Sequence, residues 1–185
     1  DQRGRAERAC RAPSAGVSDS TARGEEVHSG AMSFDTTFGL PTHVLVIHAV
    51  VVLVPLASVG VILYAAVPGW RRALRWPTLV VSTLGALAAP VAYFSGKQLR
   101  DRLGAGELES VQRHADLGLK TLIVIIVWWV VVAVLLGATA RLKDPAVLLV
   151  LAVLLSVAVL VGVILTGHSG SDAVWGPIVD STTVP

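Results

Sequence analysis

Four long runs of apolar residues, separated by short charged segments, dominate the chain after residue 40. Their approximate limits are 41–67, 77–95, 117–139 and 145–166. Each is close to the ~20 residues that a helix needs to cross the hydrocarbon core of a bilayer. The pattern predicts an all-α fold, a bundle of four transmembrane helices within residues 38–176, followed by a C-terminal tail at residues 177–185.

Three local features refine these helices. Apolar residues recur at helical spacing before the third run, at Leu108, Val111, Ala115 and Leu119. The third helix is therefore predicted to begin near Glu107 and to project from the membrane before entering it. Pro55 lies in the middle of the first run, where a kink is expected. Trp128 and Trp129 lie in mid-span, away from the interfacial belts, and must face either lipid or the bundle interior.

The segment before the first apolar run is of another kind. Residues 1–37 are polar and rich in Arg, Gly and Ser, so they are predicted to form a disordered tail. They contain no apolar core of a signal peptide. The only methionine is Met32. Residues 1–31 are therefore interpreted as sequence upstream of the natural start, the alternative being a genuine tail, and His28 and Cys10 receive no role.

Composition narrows the class of protein further. The chain is 54% hydrophobic and 15% charged, with a formal net charge of +2, whereas soluble domains carry about 25% charged residues. So small a charge, without a basic patch, argues against a nucleic-acid partner. A single cysteine excludes an intramolecular disulfide and a CxxC site. Twelve of the fifteen basic residues are Arg, and Ala, Val and Gly are abundant, which favours a GC-rich bacterial genome and a multi-pass protein of the bacterial plasma membrane.

The distribution of positive charge predicts the orientation. The two short connectors, after the first and third runs, are denser in Arg and Lys than the longer second connector. Positively charged short loops remain in the cytoplasm. Both termini are therefore expected on the extracytoplasmic side.

Four histidines form the candidate site. With four passages through the membrane, His43, His48, His114 and His168 all belong to one face of the bundle. Ionisable residues at membrane depth are costly and tend to be functional. His48 and His114 are predicted as the principal ligand pair, with His43 or His168 assisting. The alternative for each histidine is a purely structural role, either a hydrogen bond to a carbonyl or a position among lipid headgroups.

Imidazoles from several helices suit two kinds of cofactor. They can bind haem b axially or hold a transition metal. Asp116 and Asp172, close in sequence to His114 and His168, are candidates to accept hydrogen bonds that orient the ligating rings. No carboxylate lies within any apolar run, which argues against a di-iron centre. Gly167–Gly170 reads GHSG, as around some intramembrane serine nucleophiles. Protease activity is rejected because the string is expected in a surface turn that no buried base faces.

Three segments carry a family resemblance: LPTHVLVIHAVVVLVPLA, RHADLG and GHSGSDAVWG. Their order and spacing resemble those of a family of predicted membrane proteins known as domain of unknown function 2231. The similarity covers about residues 38–175. It implies a bacterial four-helix membrane domain without an established activity, in which the recurring histidines correspond to His43, His48, His114 and His168.

Two functional hypotheses follow. The first is a redox or metal-binding membrane subunit, acting with a membrane redox partner. The second is a non-catalytic scaffold or accessory subunit, including one that forms a homo-oligomer through glycines in the spans. Enzymatic activity is not favoured. Solute transport is least favoured, since no polar residue lines a path across the bilayer.

Overall fold

The computed structural model describes residues 36–37, 40–137 and 145–182. Two short strands, β1 and β2, precede four helices, α1 to α4. The elements are β1 Thr36–Thr37, β2 Leu40–Pro41, α1 Thr42–Ala66, α2 Arg71–Arg102, α3 Glu109–Gly137 and α4 Ala146–Thr182. The strands pair antiparallel, and 3₁₀ turns at Pro68–Trp70 and Ala105–Glu107 link the first three helices. The predicted disordered tail, up to residue 35, lies outside the described residues.

All four helices are long and apolar enough to cross a membrane. In the most apolar window of each helix, only 22% to 33% of the residues are buried within the protein. The remaining apolar surface faces outward, and a soluble monomer does not expose such continuous apolar area. The prediction of a four-helix transmembrane bundle is confirmed.

Each helix packs against two neighbours. The helices α1 and α3 both lie against α2 and α4, so α1 and α3 occupy opposite corners of the bundle. The core between the four helices contains fully buried side chains that range in size from Ala152 to Trp128. Because lipid is as apolar as these side chains, packing and interhelical hydrogen bonds hold the helices together rather than exclusion of water.

The two mid-span tryptophans supply such hydrogen bonds. Trp128 is fully buried and its Nε1 donates to Ser156 Oγ on α4 at 2.8 Å. Trp129 is partly buried and its Nε1 donates to Thr83 Oγ1 on α2 at 3.1 Å. A buried indole usually finds such a partner. The sequence did not decide whether these two residues face lipid or the bundle interior. In the structure, both indole N–H groups point toward neighbouring helices.

Helices extend beyond the apolar runs that predicted them. The helix α2 begins at Arg71, before Pro77, and α3 begins at Glu109, close to the predicted start. The turn expected around His168 is wrong, because α4 continues through it to Thr182. A glycine in a helix costs only about 1 kcal/mol. Ser169, buried on α4, satisfies its hydroxyl within the helix by donating to Thr166 O at 2.9 Å.

The bundle is built from two similar helical hairpins. Buried positions 54, 57, 61 and 64 of α1 recur 71 residues later in α3, at 125, 128, 132 and 135. Buried positions 78, 82, 85, 89 and 95 of α2 recur 74 residues later in α4, at 152, 156, 159, 163 and 169. The α1–α2 hairpin and the α3–α4 hairpin therefore present equivalent faces to the core, as an internal two-fold repeat does.

Candidate functional site

His43 lies in the first turn of α1 and reaches across to α2. Its Nδ1 is 2.8 Å from Ala92 O. Since a carbonyl oxygen only accepts, Nδ1 carries the proton in this contact. Gly96, one turn further along α2, makes room for the ring, because a Cβ at that position would lie 2.9 Å from both Cε1 and Nδ1 of His43. Any larger residue would displace the imidazole.

His114 repeats this arrangement in the second hairpin. Its Nδ1 lies 3.1 Å from Thr166 O and 3.2 Å from Ser169 Oγ, both on α4. Gly170 makes room for the ring, since a Cβ there would lie 3.0 Å from Cε1 of His114. In each hairpin, therefore, an imidazole binds a carbonyl of the partner helix and packs on the glycine four residues later, in a Ser-Gly pair (Ser95-Gly96 or Ser169-Gly170).

The two imidazoles meet across the bundle. The ring centres of His43 and His114 are 6.4 Å apart, and the ring planes are inclined by 79°. Both side chains are partly buried. In the part of the chain that the structure describes, Nε2 of neither ring has a hydrogen-bond partner. The pair that repeats in the two hairpins and meets here consists of two imidazoles, each with its Nδ1 against a backbone carbonyl of the partner helix.

The other two predicted ligands lie elsewhere. His48 is exposed on α1, and its Nδ1 is 2.6 Å from Val44 O of its own helix. His168 is exposed on α4. The structure brings His43 rather than His48 close to His114, because positions 43 and 48 differ by ~140° around a helix and the His43 ring contacts α2.

The carboxylates proposed to orient the rings do not do so. Asp116 and Asp172 are both exposed, and neither makes a hydrogen bond with a histidine in the described chain. Backbone carbonyls of Ala92 and Thr166 take that role. The sequence analysis did not identify these carbonyls as partners of the histidines. The Ser-Gly pair that recurs 52 to 56 residues after each histidine marks the helical turn that contacts the ring.

The surroundings of Ser169 differ from those that the GHSG string predicted for it. Contrary to the sequence analysis, it is buried in a helix and a histidine from another span faces it. Its hydroxyl, however, already donates to Thr166 O, and the adjacent His114 Nδ1 shares that carbonyl. A general base would need an unprotonated nitrogen there. Ser95, in the equivalent position of the first hairpin, bonds its own helix in the same manner, which indicates a structural serine.

Few side chains near the two imidazoles, among the described residues, are of a type that binds metal ions. Across residues 36–37, 40–137 and 145–182, no three His, Cys, Asp or Glu side chains are grouped to hold a metal ion. One buried polar atom at this end of the bundle lacks a partner: Gln98 Oε1 on α2, three residues after Ser95. The site consists of two imidazoles, each in contact with the partner helix of its own hairpin.

Comparison with known proteins places the chain in a family. The sequence profile of a family described as "predicted membrane protein", domain of unknown function 2231, matches residues 39–183. No curated protein and no solved structure matches the chain. The match includes both hairpins and all four histidines after residue 40. The chain therefore belongs to the domain of unknown function 2231 family of membrane proteins.

Proposed function

We propose that this protein is a membrane redox subunit that binds one haem b between His43 and His114. The observation that carries the proposal is the proximity of the two imidazoles, with ring centres 6.4 Å apart and ring planes inclined by 79°. When two imidazoles bind one ion from opposite sides through bonds of about 2.0–2.1 Å, their ring centres lie roughly 6 Å apart. With this spacing, His43 and His114 would be the residues that hold the iron of one haem.

The state of each ring supports ligation through Nε2. A ligating histidine usually donates its other N–H to a carbonyl or carboxylate, which fixes the tautomer and the orientation of the ring. Ala92 O and Thr166 O provide that acceptor for His43 and His114. The nitrogen that remains in each ring is the one with a free lone pair.

The number of donors favours haem over a bare metal ion. Zinc and copper sites in proteins take three or four protein ligands, and no group of three lies in the described chain. Haem brings four nitrogens of its own and needs only axial ligands from the protein. The side chains packed near the rings are small: Ala92, Ser95, Gly96, Ser169 and Gly170. Small residues let helices adjust around a flat cofactor.

Absorption spectroscopy of the purified protein tests the proposal. From cells supplied with iron and a haem precursor, the wild type should show a Soret band and about one haem per chain, the number that one axial pair can bind. His43→Ala and His114→Ala should each abolish the band or shift it to that of a five-coordinate iron. His48→Ala and His168→Ala are matched controls, since both are exposed histidines, and should retain the wild-type spectrum.

Two results would refute the haem site. One is a colourless wild-type protein that also fails to bind added haemin. The other is loss of the Soret band in His48→Ala with retention in His43→Ala, which would return the site to the opposite face of α1.

A second candidate function, a non-catalytic accessory subunit, is favoured by the same hydrogen bonds. Each ring joins the two helices of its hairpin through a backbone carbonyl. In that case His43→Ala and His114→Ala lower the thermal stability of a protein that is colourless from the start. Measuring both the Soret absorbance and the melting temperature separates the two functions.

A further inference from the structure

The opposite end of the bundle holds a cavity of about 420 Å³ where α1 ends and α2 begins. Its lining consists of three arginines and two aromatic residues: Tyr64, Arg71, Arg72, Arg75 and Trp76. None of the lining side chains is acidic. This end does not follow the internal repeat, because positions 145 and 149, 74 residues after Arg71 and Arg75, are Pro and Leu.

Two of the arginines are held in place by the ends of other helices. Arg71 donates through Nε to Tyr64 O at 3.1 Å and through Nη2 to Ala65 O at 3.4 Å, in the last turn of α1. Arg75 donates through Nε to Leu136 O at 2.7 Å and through Nη2 to Gly137 O at 3.2 Å, at the end of α3. These contacts are favourable because the C-terminus of a helix attracts cations.

Aromatic rings support the same two guanidinium groups. The Cζ of Arg71 lies 5.7 Å from the centre of the Tyr64 ring, and that of Arg75 lies 5.4 Å from the Trp76 ring. Stacking on a ring fixes a guanidinium plane and leaves its other N–H groups available. With five N–H donors in each group, both arginines retain donors after binding the carbonyls.

Within the described residues, no ion pair neutralises the charge of the cavity arginines. Arg72 is exposed, and across the described residues it makes no ion pair or hydrogen bond with the protein. The single ion pair in that part of the chain, Arg100–Asp101, is at the other end of α2. In addition, no side chain caps the start of α2, and the dipole of this helix adds positive potential at its N-terminus. Two guanidinium groups held by helix ends and the exposed guanidinium of Arg72 together form a cluster of positive charge that suits an anion.

We propose that this cavity binds the phosphate group of an anionic ligand, and that the source of the phosphate is a phospholipid headgroup. Planar guanidinium groups suit phosphate because they donate to two oxygens at once. Trp70 and Trp76 are exposed beside the cavity, 56% and 61%, in the position that tryptophan takes at the membrane interface. Basic pockets between membrane helices bind anionic headgroups through the same chemistry.

Lipid binding to the full chain in mild detergent, counted by native mass spectrometry, tests the site. Phosphatidylglycerol should bind more tightly than phosphatidylcholine, and Arg72→Gln should weaken phosphatidylglycerol binding about fivefold. Arg72→Lys should give an intermediate loss, since it keeps the charge without the forked donor. Arg100→Gln is the control, because it removes the same charge from the other end of α2. It should bind like the wild type.

Calorimetric titration with inorganic phosphate forms the second arm and identifies the source of the phosphate. Binding of inorganic phosphate that depends on Arg72, without preference for phosphatidylglycerol, would support the anion site and assign it to a free phosphate. Equal binding by wild type, Arg72→Gln and Arg100→Gln in both arms would overturn the proposal. Since Arg72 is exposed and makes no hydrogen bond or ion pair among the described residues, its variants should fold, and unchanged melting temperatures would verify this. The haem proposal is unaffected by either outcome.

Discussion

At the scale of single residues, two glycines decide where the histidine rings can lie. Gly96 and Gly170 each contact an imidazole at a distance that leaves no room for a Cβ. These contacts explain why a residue with poor helix propensity occupies the interior of α2 and of α4. The glycines serve as docking surfaces for His43 and His114 rather than as turns.

Gly96→Ala should therefore displace the His43 ring and break its hydrogen bond to Ala92 O. Overpacking of this kind costs about 1–3 kcal/mol, and we expect a lower melting temperature together with loss of any bound haem. Gly167→Ala is the matched control: nothing lies within 4 Å of a Cβ there, so it should be neutral or stabilising by up to about 1 kcal/mol. Equal melting temperatures for the two variants would contradict the role assigned to Gly96.

The residues of the site were only partly predictable. The sequence identified all four histidines but favoured His48 over His43, since His48 lies deeper in the apolar run. Helix α1 is apolar around its whole circumference, because its outer face contacts lipid and its inner face contacts protein. Hydrophobic periodicity therefore could not show which histidine faces the bundle. The contacts with Ala92 and Gly96, made 49 and 53 residues later, place the His43 ring against α2.

At the scale of the helices, hydrogen bonds between spans hold the hairpins together. The most buried of them joins Trp128 Nε1 to Ser156 Oγ, both at 0% exposure. Ser156 also donates to Ala152 O in its own helix. Ser58 on α1 is equally buried and donates to Val54 O, but it receives no indole. These two serines differ mainly in the interhelical contact.

Ser156→Ala should consequently destabilise the bundle more than Ser58→Ala. The first substitution leaves the indole N–H of Trp128 buried without an acceptor, at a cost of about 1 kcal/mol, near the lower limit for an unsatisfied buried group. The second removes a bond within one turn of helix and should cost close to nothing. Reversible unfolding in mixed detergent micelles gives both values. If Ser58→Ala were the more damaging variant, packing rather than hydrogen bonding would control these positions.

Helix number was easier to predict than helix length. Four apolar runs specified four spans because each is about as long as the bilayer is thick. Polar residues interrupt the apolar pattern at the helical ends, so hydrophobicity did not predict that α2 continues through Lys97 to Arg102 or that α4 continues past His168 to Thr182. Contacts between hairpin partners, such as His114 with Thr166 and Ser169, maintain the helix beyond the apolar run.

At the scale of the whole molecule, the two ends of the bundle differ in chemistry. One end has the repeated histidine pair, and the other has the unrepeated arginine cavity. The positive charge of the short connectors predicts that the arginine end is cytoplasmic. This orientation would direct the phosphate site toward the anionic leaflet and the histidine pair toward the outside.

Cysteine labelling in intact cells tests the orientation. In a Cys10→Ser background, Gly106→Cys, in the connector beside the histidine end, should react with a membrane-impermeant maleimide. Gly69→Cys, in the connector at the arginine end, should react only after the membrane is opened. Neither position offers a contact within 4 Å of a Cβ, so both substitutions should be tolerated. The reverse labelling pattern would invert the topology without altering the site.

The internal repeat leads to a last prediction about the whole chain. If each hairpin contributes one equivalent half of the histidine site, a break in the connection between α2 and α3 should leave both halves able to assemble. Gly104, with φ of 61°, lies in that connection, and nothing packs within 4 Å of its Cβ position. Two co-expressed chains, ending at Gly104 and beginning at Ala105, should copurify through a tag on one of them.

The assembled halves should also reproduce the properties of the intact chain. Helices that are each stable in the bilayer associate through their packed faces, and α1 with α4 and α2 with α3 provide the contacts between the hairpins. His114→Ala in the second half should abolish haem binding without preventing copurification, since the core contacts around Trp128 remain. Failure of the unmodified halves to associate would show that the covalent connection, rather than the complementary faces of the repeat, brings the two imidazoles together.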